Sequence, residues 1–170
     1  MRNSAIAAVI AVLVAAPAVA DDYNLQSAFG KGLPIIGPGA DRFVERVATL
    51  TNGEVTFEHL GAGELSPAFE ILDNVGVGAI DAGWSYAAYA SGKAPAAALF
   101  GSMPFGPDAI KYASWLHHGG GLELWREIYE PYNVVPTACG VIISEAGGWF
   151  TKPINGPEDF KGLNMRIGGL

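Results

Sequence analysis

Two charged side chains near the carboxyl end of the 170-residue sequence stand where chemistry is expected. In Leu163-Asn164-Met165-Arg166-Ile167 the apolar side chains alternate, so a strand here puts Leu163, Met165 and Ile167 on one face and Asn164 and Arg166 on the other. An arginine projecting from a strand end offers a planar fork of donors that fits a carboxylate through two parallel bonds. The competing assignment is a surface arginine paired with an acid. Glu145 is the second such charge, set between the β-prone run Val134 to Ile143 and the turn Gly147-Gly148-Trp149-Phe150. It is either a site carboxylate or a solvated loop acid. Trp84, Tyr86 and Tyr89 follow a short apolar run, Ala79 to Gly83, and would lie at the end of a strand where α/β sheets bind ligands. Two of them could equally be packing residues.

Enzyme motifs are missing where they would be sought. Gly119-Gly120-Gly121 follows His117-His118 without the Gly-Lys-Ser/Thr ending of a phosphate loop. Those histidines suit a helix carboxyl end, where they complement the dipole, and adjacent positions on a helix do not converge on one metal. His59 stands alone in a strand. Cys139, the single cysteine, lies in an apolar run and reads as a small buried strand residue; it excludes an internal disulfide. No Gly-x-Ser-x-Gly elbow, dinucleotide fingerprint or His-Glu-x-x-His occurs.

The elements that would carry these residues alternate in type. A strand is expected over Tyr23 to Ala28, then a Gly/Pro-rich loop over Lys31 to Gly39. A helix from Ala40 to Leu50 follows, with Phe43, Val44, Val47 and Leu50 as its apolar face. Asn52-Gly53 ends that helix ahead of a strand Val55 to Leu60. Ser66-Pro67 reads as an N-cap with proline at the first helical position, opening a helix through Phe69, Ile71, Leu72 and Val75 that stops near Gly76. A buried strand Ala79 to Gly83 comes next. This order implies a parallel sheet with helical crossovers, an α/β fold. Helices are then expected over Pro107 to His117 and Leu122 to Tyr129. The long run Val134 to Ile143 reads as a strand able to leave one sheet and enter another, followed by a capped turn at Asn155 to Phe160 and a strand Leu163 to Ile167. With no helix after that strand, about half of the protein is expected to be missing.

Composition narrows the role. Half the residues are hydrophobic and 16% charged, so the chain can bury a core. A net charge of −7, scattered along the sequence, argues against a nucleic-acid partner. Residues 1–20 read as a signal peptide: Arg2, an apolar run from Ala5 to Ala16, and Ala18-Val19-Ala20 before Asp21-Asp22. The exported chain would begin at Asp21, with a first α/β lobe over residues 21–133 and a crossing strand with the start of a second lobe over 134–170.

Several blocks, in order, resemble one family: Gly63-Glu64-Leu65-Ser66-Pro67; Asp81 to Lys93 with Tyr89 and Gly92-Lys93; Met103-Pro104-Phe105-Gly106; Gly148-Trp149-Phe150; and Asp159 through Leu170. The sequence resembles the extracytoplasmic solute-binding proteins of tripartite ATP-independent periplasmic (TRAP) transporters, nearest the branch that binds 2-oxo acids and related carboxylates. The resemblance implies the first lobe of a two-lobe periplasmic binding protein of type II-like fold that captures a small organic carboxylate for the TRAP membrane subunits, without catalysis. It makes Arg166, in Met165-Arg166-Ile167-Gly168-Gly169, the ligand anchor, and Glu145, Tyr89, Trp84 and Phe105 ligand-lining residues. In that branch the position of Glu145 is a glutamine that helps hold a metal bridging ligand and protein. An acid there adds negative charge to an oxygen-ligand site and favours calcium over sodium. The alternatives are a binding protein of an ATP-driven transporter and an exported enzyme on a related scaffold.

Overall fold

The computed structural model describes residues 21–101, 103, 105–142 and 148–165. The expected export signal, Glu145 and Arg166 lie outside these residues.

Three strands make a parallel sheet in the order β2-β1-β3: β1 is Asp21–Ser27, β2 is Val55–Leu60 and β3 is Ala82–Trp84. The α/β layout expected from the alternation of elements is therefore present. Residues paired across the sheet share a face. Tyr23 is paired with Phe57, Leu25 with His59 and Ala82, and Ser27 with Trp84, all on one side. Helix α1, Ile36–Leu50, covers that side, with Phe43 meeting Phe57 at 6.1 Å and Trp84 at 6.0 Å between ring centroids. Helix α2, Ile71–Gly76, packs on the other, where a Cβ on Gly83 would collide with Ile71.

Several expectations are corrected. Helix α1 starts at Ile36, inside the stretch read as loop, because Pro38 falls in the first turn, where a helix has no use for its missing N–H. Leu50 is 79% exposed: periodicity puts it on the face of Phe43 and Val47, but the helix ends there with nothing packed opposite. Ser66 caps nothing. Pro67 precedes a 3-10 turn, Ala68–Glu70, and the buried Ser66 hydroxyl accepts from Asn74 Nδ2 at 2.7 Å, bracing the far end of α2. The strand expected over Ala79 to Gly83 is shorter and starts at Ala82; its residues are half-buried or exposed, since among the described residues β3 has one neighbouring strand.

Beyond the sheet, a 3-10 turn over Pro95–Ala97 leads into the single-turn helix α3, Ala98–Gly101. Helices α4, Ala109–His118, and α5, Gly121–Tyr129, follow within two residues of the expected bounds. The Asp108 side chain caps α4, accepting from the Lys111 N–H at 2.9 Å, and that bond together with the Lys111 ammonium holds its carboxyl below the usual range. His117 and His118 occupy the last turn of α4, as expected, and the left-handed φ of 86° at Gly120 turns the chain into α5. Among the described residues the core has two clusters. Ala90, Ala94, Ala97 and Tyr129 form one, and Ala87, Phe100 and Leu116 the other, with Trp125 and Ile128 packed against both. Phe100 stacks on Trp115 at 5.7 Å and on Trp125 at 5.4 Å.

Residues 134–142 form no strand, against expectation. A strand needs a neighbour for its hydrogen bonds, and this segment instead spends Val134 and Ala138 as packing against the two clusters. Cys139 is accordingly exposed rather than buried. The start of the segment is fixed: Tyr132 Oη donates to the Lys93 carbonyl at 2.7 Å and Asn133 Nδ2 to that of Gly76 at 3.0 Å. The capped turn near residue 155 is a 3-10 turn, Pro157–Phe160, with Asp159 Oδ2 accepting from the N–H groups of Asn155 and Gly156. Leu163 to Met165 are not in a strand, and the rest of that expected element lies outside the described residues.

Candidate functional site

The carboxyl ends of the three strands deliver aromatic residues to one place. Phe29 follows β1, Phe69 lies in the turn before α2, and Tyr86 and Tyr89 follow β3. Tyr89 is their meeting point, with ring centroids 6.1 Å from Phe29, 4.9 Å from Phe69 and 5.4 Å from Tyr86, the last edge-on. Among the described residues the Tyr89 hydroxyl has no hydrogen-bond partner. The arrangement offers an apolar wall with a phenolic donor, suited to the flat carbon skeleton and oxygen of a small ligand.

The loops around this cluster are held from beneath. Gln26, fully buried in β1, donates from Nε2 to the carbonyls of Gly61 and Ser27, each at 2.7 Å, and accepts the Leu65 N–H at 2.9 Å through Oε1. Glu64 folds back to accept the Gly61 N–H at 2.9 Å, and the Lys31 stem lies beside the same glycine. A Cβ on Gly37 would collide with the Lys31 carbonyl, so the loop after β1 is pressed against the start of α1. Lys93, beyond Tyr89, pairs with Asp73 of α2.

The residues singled out in the sequence fall in different places. Tyr89 is in the cluster. Trp84 faces α1, against Phe43 and close to Gly39, and does not meet Tyr89 among the described aromatic pairs. Phe105 is fully exposed, with a left-handed φ of 57°. Phe29 and Phe69 are the members that sequence reasoning missed. Phe29 could have been found as the first aromatic after a strand, whereas Phe69 read as one face of a helix. Among the described residues no three His, Cys, Asp or Glu side chains group closely enough to hold a metal. His59 has a partner after all: its Nδ1 lies 2.7 Å from Asp41 Oδ1 on α1.

A parallel α/β lobe with side chains gathered beyond its strand ends belongs to the class of ligand-binding lobes. The family described as bacterial extracellular solute-binding protein, family 7, matches residues 31–169, and the chain belongs to that family. It is similar to a monocarboxylate 2-oxoacid-binding periplasmic protein of Nostoc sp. (strain PCC 7120 / SAG 25.82 / UTEX 2576), 42% identical over 132 residues, which are 78% of this chain and 36% of the relative. A TRAP transporter solute-binding protein from Bordetella bronchiseptica RB50, with copurified calcium and picolinate in its active site, superposes with a TM-score of 0.85 at 34% identity. The match covers 89% of this chain and 45% of that one. A TRAP periplasmic solute-binding protein from Pseudoalteromonas atlantica T6c, with bound sodium and pyruvate, gives 0.77 at 31% identity, over 89% and 46% of the two chains. The chain thus spans less than half the length of these relatives, in keeping with one lobe of two. No helix among the described residues is long and apolar enough to cross a membrane.

Proposed function

We propose that this chain forms the first lobe of a periplasmic solute-binding protein that captures a small 2-oxo or 2-hydroxy acid and hands it to TRAP membrane subunits. The observation that carries this reading is the convergence of Phe29, Phe69 and Tyr86 on Tyr89 beyond the strand ends. The ligand class follows the 2-oxoacid-binding relative and the pyruvate and picolinate of the similar structures. In this reading Arg166 grips the ligand carboxylate, Tyr89 lines its carbon skeleton, and Phe105 and Trp84 bound the cleft at longer range.

A metal fits this charge balance. The ligand and Glu145 are both anionic, and Arg166 supplies one positive charge, so a calcium or sodium ion between the carboxylates would offset their repulsion. Glu145 would be its ligand from this chain, with the remaining donors from the bound acid and the second lobe. No bond is made or broken in this role. The ligand acts by binding the closed form more tightly than the open one, which shifts the lobes toward closure. Calorimetric titration of pyruvate and related acids into the full-length, two-lobe form tests the proposal. Micromolar or tighter uptake of a 2-oxo acid is expected, and no uptake of any small carboxylate would refute it.

A further inference from the structure

Ser27, the last residue of β1, is 1% exposed and yet carries a hydroxyl. It lies on the α1 side of the sheet with Leu25, level with Trp84 on β3, where an alanine would fill the place without the cost of burying an oxygen. Among the described residues that oxygen makes one hydrogen bond: Ser27 Oγ accepts the Phe29 N–H at 3.0 Å, a local turn from side chain to backbone. The chain leaves the sheet at this point. The Ala28 N–H donates to the Trp84 carbonyl at 2.9 Å, and the Phe29 carbonyl accepts the Ala62 N–H, from the chain beyond β2, at 3.1 Å. Both backbone groups of Phe29 are therefore fixed. Gly30, next in the chain, has open space where a side chain would be, so no packing at that residue helps to place Phe29.

We propose that Ser27 is a positioning residue for ligand capture: through the Phe29 N–H it sets where the Phe29 ring stands against Tyr89, and so how closely the wall of the site fits the carbon skeleton of a 2-oxo acid. This rests on the functional reading above. Phe29 is half-buried, and its ring meets that of Tyr89 at 6.1 Å with a tilt of 39°. A small ligand draws on such a wall through dispersion, which is forfeited quickly once a gap opens. A swing of the Phe29 backbone is magnified at the ring, which sits at the far end of the side chain. Gln26 governs the other support of Phe29, since its amide holds Gly61, next to Ala62. Ser27 acts on Phe29 directly.

The test uses the full-length form and pyruvate, by calorimetry, at a temperature where every variant is folded. Affinity is expected to fall roughly three- to tenfold in Ser27→Ala, the worth of one ordinary hydrogen bond. Ser27→Thr, which keeps a hydroxyl on the same Cβ, should restore most of it. A double-mutant cycle separates positioning from plain stability. Phe29→Ala removes the ring through which Ser27 acts, so adding Ser27→Ala to it should cost no further affinity. The Phe29 amide should also exchange with solvent faster in Ser27→Ala than in the parent. Parent-like affinity in Ser27→Ala, with the parent binding normally, would overturn this inference and leave the functional reading standing. An equal loss from Ser27→Ala with and without the Phe29 ring would overturn it as well, assigning the hydroxyl to the stability of the lobe as a whole. A parent that takes up no carboxylate would refute the functional reading and this inference with it.

Discussion

Gln26 Nε2 donates to the Gly61 carbonyl at 2.7 Å, joining the end of β1 to the loop that leaves β2. With the Leu65 N–H on its Oε1, this one buried amide sets the shape of residues 61–65. Replacing it with leucine, of similar volume, would leave the Leu65 N–H without a partner and the Gly61 carbonyl with only the Glu64 N–H, at 3.2 Å. Each unpaired buried backbone group costs about 1 to 3 kcal/mol. Urea unfolding of Gln26→Leu should show a loss of about 1 to 3 kcal/mol. Gln26→Glu should also lose stability, because a carboxylate cannot donate to Gly61.

Tyr129 links the core to alkaline pH. It is 7% exposed, and burial pushes its phenol above the ordinary value of 10.0. A group whose folded pKa is raised contributes stability that is fully present below the unfolded pKa and is lost as pH rises through the folded one. The melting temperature should therefore decline as pH climbs past about 10. Tyr129→Phe should show a shallower decline, with the remainder carried by Tyr112, which burial also raises. Thermal melts across that range, with tyrosinate absorbance in parallel, check it.

Much of the lobe was legible in the sequence because local rules govern it. Strand β2 has the bounds that alternation and Asn52-Gly53 imply, and the parallel order follows from alternating element types. What escaped depends on relationships between distant elements. The His59–Asp41 pair requires the register of α1 on the sheet, and the Phe29, Phe69 and Tyr89 cluster requires three loops at once. Val134 to Ile142 misled because β-prone side chains say nothing about whether a neighbouring strand is there to pair with them. The expected anchor Arg166 and metal ligand Glu145 were read from alternation, charge and resemblance, and their test is in solution.

Arg166→Lys in the full-length form should weaken carboxylate binding by about 2 to 5 kcal/mol, the range for breaking a buried charge-assisted pair. Lysine keeps the charge but loses the two-pronged geometry. Calorimetry decides, and unchanged affinity would remove Arg166 from the site.

Chelation should lower carboxylate affinity if Glu145 holds a metal between itself and the ligand. Titration before and after a chelator, repeated on Glu145→Gln, gives the comparison. The parent should lose affinity on chelation and regain it with added calcium, and the glutamine variant should need more calcium for the same effect. A parent indifferent to the chelator would end the metal role of Glu145.

The central place of β1 in the sheet imposes an order of folding. Asp21 is hydrogen-bonded into register with Val55, and Leu25 with Ala82, so the first strand to be synthesised has no sheet partner until much later residues exist. Long-range parallel pairing is slow, because the crossovers must close before any strand contact rewards them. A nascent chain that has reached Gly53 holds a helix and an unpaired strand whose leading Asp21-Asp22 discourages pairing with other chains. One that has reached Trp84 has the three strands described here, and only then can Phe29, Phe69 and the tyrosines after β3 come together.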